Sequence, residues 1–272
     1  MPELPEVETV VRGLRARVLG RQIGPVLFAS KRIKQANSPG WRSRLSSNVV
    51  EHIDRRGKYI IIRLSGGNAM VAHLRMTGRL WVKPAAYKRE KHDRFVISLG
   101  RDCRLVLSDA RQFARVEWWP QAQLTKHPSL EKLGPDALTM TPAQLSEACA
   151  RSHRPIKSML LDQSRLSGLG NIYADEVLFA ARIHPRTIAD SLGPKRLARL
   201  TAAIRLILQQ AIDLCGTTFD TFSDLEGNSG GFGPKLRVYH RTGLPCLVCG
   251  SPVRRMVLAG RGTHFCRRCQ RS

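Results

Sequence analysis

Acidic residues are scarce in this chain. It holds 21 Asp and Glu against 45 Lys and Arg, a formal charge of +24. A balance that basic is foreign to an ordinary metabolic enzyme. It makes nucleic acid the first-choice partner and an anionic surface the second. Long apolar runs are also missing. None approaches the ~20 residues that span a bilayer, and no basic-then-apolar leader opens the chain, so no membrane association is expected. The cations are spread along the whole sequence rather than gathered in a tail, which favours a folded protein with a positive groove.

Cysteine is sparse except in one place. Cys103, Cys149 and Cys215 stand alone, as thiols do in a reducing, cytoplasmic compartment, and read as small buried apolar residues. The other four follow the pattern Cys246-x2-Cys249-x16-Cys266-x2-Cys269. Two close pairs on two turns can close four thiolates around one structural Zn2+; a disulfide pair is the alternative, and the reducing context disfavours it. A closed four-thiolate site leaves no position for a catalytic water. The segment between the pairs carries Arg254, Arg255 and Arg261 and has room for a β-hairpin that grips a phosphate backbone or groove.

The length of 272 residues suggests one large or two moderate domains. Val7, Val10, Val11, Leu14 and Val18 fall at helical spacing, with Pro5 at the first helical position and Gly20 as the stop. Six β-rich segments follow: Val49–Ile53, Tyr59–Leu64, Ala69–Leu74, Phe95–Leu99, Arg104–Leu107 and Val116–Trp119. No crossover helices separate them, so a β-sandwich is expected. Thr141, Pro142 and Gln144 make a capping box, and helical patterns run over Ile156–Leu166, Asn171–Ala181 and from Pro194 to Gly216. The predicted class is α+β and two-lobed. Its divisions are a sandwich over 1–120, a linker over 121–138, a helical domain over 139–216, a glycine-rich loop over 217–243 and a zinc finger over 244–272.

Several motifs carry chemistry. Removal of Met1 would leave Pro2 with a free secondary amine, and Glu3 adjoins it. An α-amine titrates near ~8, so part of it is a neutral nucleophile at neutral pH. Attack on a sugar C1′ would give an iminium, an electron sink for elimination. The bland account is a helix start, with Glu6 and Glu8 at the positive end of the dipole; that account has no need of Glu3. Gly168-Leu169-Gly170-Asn171 is either a phosphate-approaching turn or a tight helix–helix connection. Arg55-Arg56-Gly57-Lys58-Tyr59 is a basic turn, or a solvated charge run. His73-Leu74-Arg75-Met76-Thr77-Gly78 and Asp109-Ala110-Arg111-Gln112-Phe113 each place an apolar residue beside an Arg at a turn. That suits a wedge into a base stack, and equally a β-hairpin.

Together and in this order, these motifs resemble bacterial formamidopyrimidine-DNA glycosylase over essentially the whole chain. The most specific parts are the N-terminal Pro-Glu-Leu-Pro-Glu-Val-Glu-Thr and the Gly-Leu-Gly-Asn-Ile-Tyr-Ala stretch. The resemblance implies a β-sandwich, a helix–two-turn–helix domain and a zinc finger acting as a monomer on damaged double-stranded DNA, with the damaged base flipped out of the stack. It implies that Pro2 attacks C1′, that Glu3 protonates the ring oxygen, and that β,δ-elimination nicks the strand. Glu6 would support the catalytic turn, and Lys58 would contact DNA near the lesion. Met76, Arg111 and Phe113 would fill the vacated stack, Asn171 and Arg261 would pinch flanking phosphates, and Lys157 and His92 would add DNA contacts. The glycine-rich loop before Lys235 would cap the everted base. Arg75 and His240 stand where Gly is more usual, and Gln112-Phe113-Ala114 where Arg-Phe-Gly is. The rivals are an endonuclease VIII-like enzyme for oxidised pyrimidines and a non-catalytic zinc-finger DNA-binding protein. The second leaves Pro2 and Glu3 unexplained.

Overall fold

In the computed structural model, the described residues are 1–30, 45–218, 222, 224, 225 and 227–271. The chain divides into two compact units, Met1–Glu131 with Leu214–Gly231, and Lys132–Asp213 with Phe232–Ser272. The segment expected as one loop over 217–243 is therefore shared between the units. Its residues 219–221, 223 and 226 lie outside the described residues.

The first unit opens with α1 (Leu4–Val18), whose buried stripe Val7, Val10, Val11, Leu14 and Val18 is the one its spacing predicts. Eight strands follow: β1 (Ile23–Ala29), β2 (Val50–Arg56), β3 (Tyr59–Leu64), β4 (Asn68–His73), β5 (Arg79–Pro84), β6 (Asp93–Leu99), β7 (Cys103–Ser108) and β8 (Arg115–Pro120). They form two antiparallel sheets of four, ordered β1-β6-β7-β5 and β2-β3-β4-β8. Alternation decides which side chains face inward. In one sheet Ile60 pairs with Ala72, Ile62 with Met70, and Met70 with Trp118. In the other, Phe95 pairs with Leu107, Ile97 with Leu105, and Leu80 with Leu107. All of these join one buried core with α1, so the sheets make a sandwich.

Six strands were expected from sequence, and the two that escaped are the edges of one sheet. β1 contains Gly24-Pro25, tolerable where no neighbour needs the missing N–H, and β5 ends in Pro84. Edge strands bury fewer side chains, so their apolar alternation is diluted.

The second unit holds α2 (Pro142–Ala150), α3 (Ile156–Leu161), α4 (Asn171–Ala180) and α5 (Pro194–Asp213), then the hairpin β9 (Arg254–Leu258) and β10 (Arg261–Phe265). The Thr141 cap is present: Gln144 N donates to Thr141 Oγ1 at 3.2 Å, and Thr141 N to Gln144 Oε1 at 2.8 Å. The helix expected over 156–166 stops at Leu161. Asp162 ends it by accepting from the Ser164 N–H at 3.0 Å, a side-chain turn that competes with the helical ladder. Among the described residues, no helix is long and apolar enough to cross a membrane.

Candidate nucleic-acid and catalytic site

The N-terminal turn is built around carboxylates. Pro2 is buried, and Glu3 and Glu6 are nearly inaccessible. Glu3 is the N-cap of α1, a structural role that the helical reading of the sequence did not require. The Glu6 carboxylate joins two segments: Oε2 accepts from the Glu3 N–H at 2.7 Å and Oε1 from the Thr217 N–H at 2.8 Å. Gly216 is a necessary partner. It lies at φ +82°, and a Cβ there would sit 2.8 Å from Glu6 Oε1. Buried charge needs such donors, because leaving one unmade costs about 1–3 kcal/mol or more.

Two residues further along α1, Glu8 accepts from Arg55 Nε at 2.9 Å, and Arg55 Nη1 donates to Gly57 O at 2.9 Å. This relay fixes the β2–β3 turn on which Lys58 sits, and Lys58 itself is buried. Tyr59 packs edge-on against His73, ring centroids 4.5 Å apart. Burial, then the charges of Arg75, Lys58 and Arg115, push the His73 imidazole down to about 3. It is neutral, and its Nδ1 accepts from the Arg75 N–H at 3.0 Å.

The two Arg-bearing turns are tied together by Asp109, a residue the sequence reading left without a role. Its buried carboxylate accepts from the Thr77 hydroxyl, from Arg111 N at 3.2 Å and from Ala114 N at 2.8 Å. Its own N–H donates to His92 O at 2.9 Å, and its carbonyl accepts from Arg94 Nε at 2.8 Å. One carboxylate thus clamps 109–114 to the 74–78 turn and leaves Met76, Arg111 and Phe113 exposed, with the Arg111 guanidinium 5.0 Å from the centre of the Phe113 ring. The His92 side chain is exposed beside them. Arg75, Gln112 and His240, three of the departures from the usual pattern, have φ of +55°, +61° and +56°. Glycine suits such backbone, and each bulkier residue there costs about 1–2 kcal/mol.

In the second unit, α4 begins at Asn171 directly after Gly170. Asn171 Nδ2 donates to Gly262 O at 3.0 Å, which fixes Asn171 against the residue that follows Arg261. Lys157, expected to touch DNA, is elsewhere. It is 1% exposed, and its ammonium meets Asp175 Oδ1 at 2.7 Å, Thr263 Oγ1 at 2.9 Å and Gly262 O at 3.0 Å. Two of its N–H groups donate to Gly262 O and Thr263 Oγ1, and its charge pairs with the Asp175 carboxylate. In this structure Lys157 ties the hairpin to α4 through Asp175, Thr263 and Gly262. Lys157→Met is expected to lower the unfolding free energy by about 3–5 kcal/mol, since Asp175 stays charged and buried, and Lys157→Met with Asp175→Leu to recover most of it. Urea denaturation measures both; a single variant as stable as the parent would refute the buried pair's role.

Asp175 and Glu176 are adjacent on α4 and both buried. Asp175 Oδ2 accepts from His264 N at 2.8 Å. Glu176 accepts from the N–H groups of Arg237, Val238 and Tyr239 at 2.8–2.9 Å, while burial pushes its carboxyl above the usual range. The pair grips both flanks of the finger. Two successive carboxylates in an apolar helix were the available sequence signal, because buried charges must be partnered.

The four cysteine sulfurs lie within 4.8 Å of one another, with Cys246–Cys269 at 3.9 Å and Cys249–Cys266 at 3.5 Å. A tetrahedron with Zn–S of about 2.3 Å has S···S edges of about 3.8 Å, so the set fits zinc. The Ser251 N–H and hydroxyl draw the Cys249 thiol below its usual range, while burial pushes Cys266 and Cys269 above theirs; zinc ligation requires all four as thiolates.

Residues 1–116 match the formamidopyrimidine-DNA glycosylase N-terminal domain, 133–223 its H2TH domain, and 243–271 the zinc finger found in FPG and IleRS. Formamidopyrimidine-DNA glycosylase of Symbiobacterium thermophilum is 44% identical over 99% of this chain and 89% of its own length. That of Pediococcus pentosaceus is 40% identical over 99% of each chain. Among solved structures, wild-type Lactococcus lactis Fpg with a DNA containing N7-benzyl-Fapy-dG superimposes with a TM-score of 0.92 at 35% identity, over 100% of both chains. MutM (Fpg) of Thermus thermophilus does so at 0.88 and 38% identity, over 99% of this chain and 98% of that one. Domain matches in order from end to end, with relatives of this identity along the full length, place the chain in the formamidopyrimidine-DNA glycosylase family.

Proposed function

We propose that the chain is a bifunctional DNA glycosylase and AP lyase of base excision repair that removes oxidised purines from duplex DNA. The carrying observation is the N-terminal turn, where Glu6 holds the Glu3 amide at 2.7 Å beside a buried Pro2. Such rigidity aligns a nucleophile at little entropic cost when substrate arrives. With Met1 gone, the Pro2 nitrogen forms a bond to C1′ as the glycosidic bond breaks; the base leaves with its electron pair and takes up the proton that the nitrogen sheds, which frees the nitrogen lone pair to form the iminium as the ring opens. Glu3 donates its proton to O4′ as the C1′–O4′ bond opens. The iminium then accepts electrons as a C2′ proton leaves and the 3′ phosphate departs. A second, δ-elimination expels the 5′ phosphate.

Lys58 and His92 serve DNA contacts in this reading. Met76, Arg111 and Phe113 enter the vacated stack, where an exposed apolar wedge and a cation fit an orphaned base. Asn171 and Arg261 hold the backbone. The zinc finger is structural, and the enzyme acts as a cytoplasmic monomer.

Borohydride trapping on a duplex with 8-oxoguanine opposite cytosine tests the reading. An adduct mapped to Pro2 is expected; its absence from a chain confirmed to lack Met1 would remove the enzyme. Phosphate contacts release counterions, so affinity for undamaged duplex is expected to fall about 10³-fold between about 50 and 200 mM salt. A flat response in a filter-binding series would contradict the electrostatic part.

A further inference from the structure

Five arginines line one concavity of about 520 Å³ in the second unit: Arg182, Arg196, Arg199, Arg268 and Arg271. Cys249 and Cys269 form its wall. The concavity is built rather than incidental. Arg199 Nε donates to Ala181 O at 2.6 Å, Arg196 Nη2 to Arg271 O at 3.0 Å, and Gln270 Nε2 to Ile183 O at 2.9 Å. These bonds lock α5, the 181–184 turn and the end of the finger together. They go to neutral carbonyls, so they orient guanidiniums without cancelling charge. Among the described residues, none of the five has a carboxylate partner within ion-pair distance, whereas Arg21, Arg55, Arg63 and Arg154 each have one. Arg182 points from backbone at φ +55°.

A zinc ion with four thiolates carries a net charge of about −2. Five guanidiniums exceed it and leave about +3. Burial and the neighbouring Arg199 lower the Arg196 pKa, as expected where cations crowd. An anion seated among them would relieve this repulsion. The place is separate from Arg261. That residue begins β10, and the cysteine pair follows Phe265 at the strand's other end, about 13 Å away at ~3.3 Å per residue.

We propose that this concavity is a second phosphate-binding site, for two or three linked phosphates, as in a polyphosphate or a short run of nucleic-acid backbone. Planar guanidiniums converging from several directions suit phosphate oxygens, which take paired N–H donors.

The test is titration of the zinc-loaded full chain with inorganic tripolyphosphate, followed by NMR of the arginine Nε–H signals. The five pocket signals are expected to shift together and saturate. Arg182→Gln with Arg268→Gln is expected to weaken this at least tenfold. Both side chains are exposed and make no hydrogen bond to the protein among the described residues, so the variant keeps its fold, as its remaining amide spectrum would attest. Pocket signals that fail to saturate, or equal affinity in the variant, would overturn the proposal. A second arm adds undamaged duplex beyond one equivalent. Shifts at the pocket then identify nucleic-acid backbone as the source, and shifts with tripolyphosphate alone identify a free polyphosphate.

Discussion

A chain that keeps Met1 is expected to form no trapped adduct with an 8-oxoguanine duplex, and the same chain trimmed to Pro2 to form one. While Met1 is attached, the Pro2 nitrogen is an amide whose lone pair is delocalised into the carbonyl. Trimming turns it into a secondary amine that is partly neutral near pH 7. The substitution Pro2→Gly makes the same point more gently. A primary amine still attacks, but its imine must hold a proton to act as an electron sink, whereas a proline iminium is always charged. The buried ring is also lost, and with it the fixed approach of the nitrogen. A loss of at least about 10³ in excision is expected, about 4 kcal/mol of barrier, with duplex affinity nearly unchanged. Mass spectrometry of the N-terminus must accompany every assay. Equal trapping by the Met1-bearing chain would remove Pro2 from the reaction.

Loss of zinc is the second large effect. Cys249→Ser, or a strong chelator, is expected to release the metal and unfold the 244–271 region. The hairpin has only five residues per strand and a small core of Phe179, Val238, Val253 and cysteine side chains. Metal binding supplies about 10–16 kcal/mol to comparable fingers, far above what so few apolar contacts give. The damage would spread into α4. Asp175 would lose the backbone N–H donor of His264, leaving a buried carboxylate unsatisfied. A loss of about 3 kcal/mol in a unit of this size corresponds to a Tm lower by roughly 10–15 °C. Duplex affinity should fall at least tenfold, since Arg261 and the Gly262 carbonyl that holds Asn171 lose their frame. Metal analysis, calorimetry and duplex binding read the three effects. Full stability and tight binding without metal would contradict the finger's role.

Much of this molecule was legible in the residues alone. The stripe on α1 predicted its buried face because helical spacing leaves one face for the core. The Thr141 cap and the central strands were equally plain. The cysteine spacing named its metal because four thiolates at that spacing have one good geometry. The N-terminal and Gly-Leu-Gly-Asn motifs gave the family. Edge strands β1 and β5 were hidden, since half-exposed segments carry little pattern.

What remained was decided by long-range pairing. Asp109 looks like an ordinary acid in the sequence; Asp175 and Glu176 stand out only as two carboxylates in an apolar helix, and only folding brings the backbone N–H groups of distant segments around them. The charge of Lys157 is plain in the sequence but its burial is not; packing across more than 100 residues places it among Asp175, Thr263 and Gly262. The five arginines beside the finger are scattered from 182 to 271, and no local pattern joins them. Short-range forces fix helices, strands and metal knuckles, so sequence reveals those. Which charges meet, and which are left without an opposite, depends on how the elements pack, and that is settled only in three dimensions.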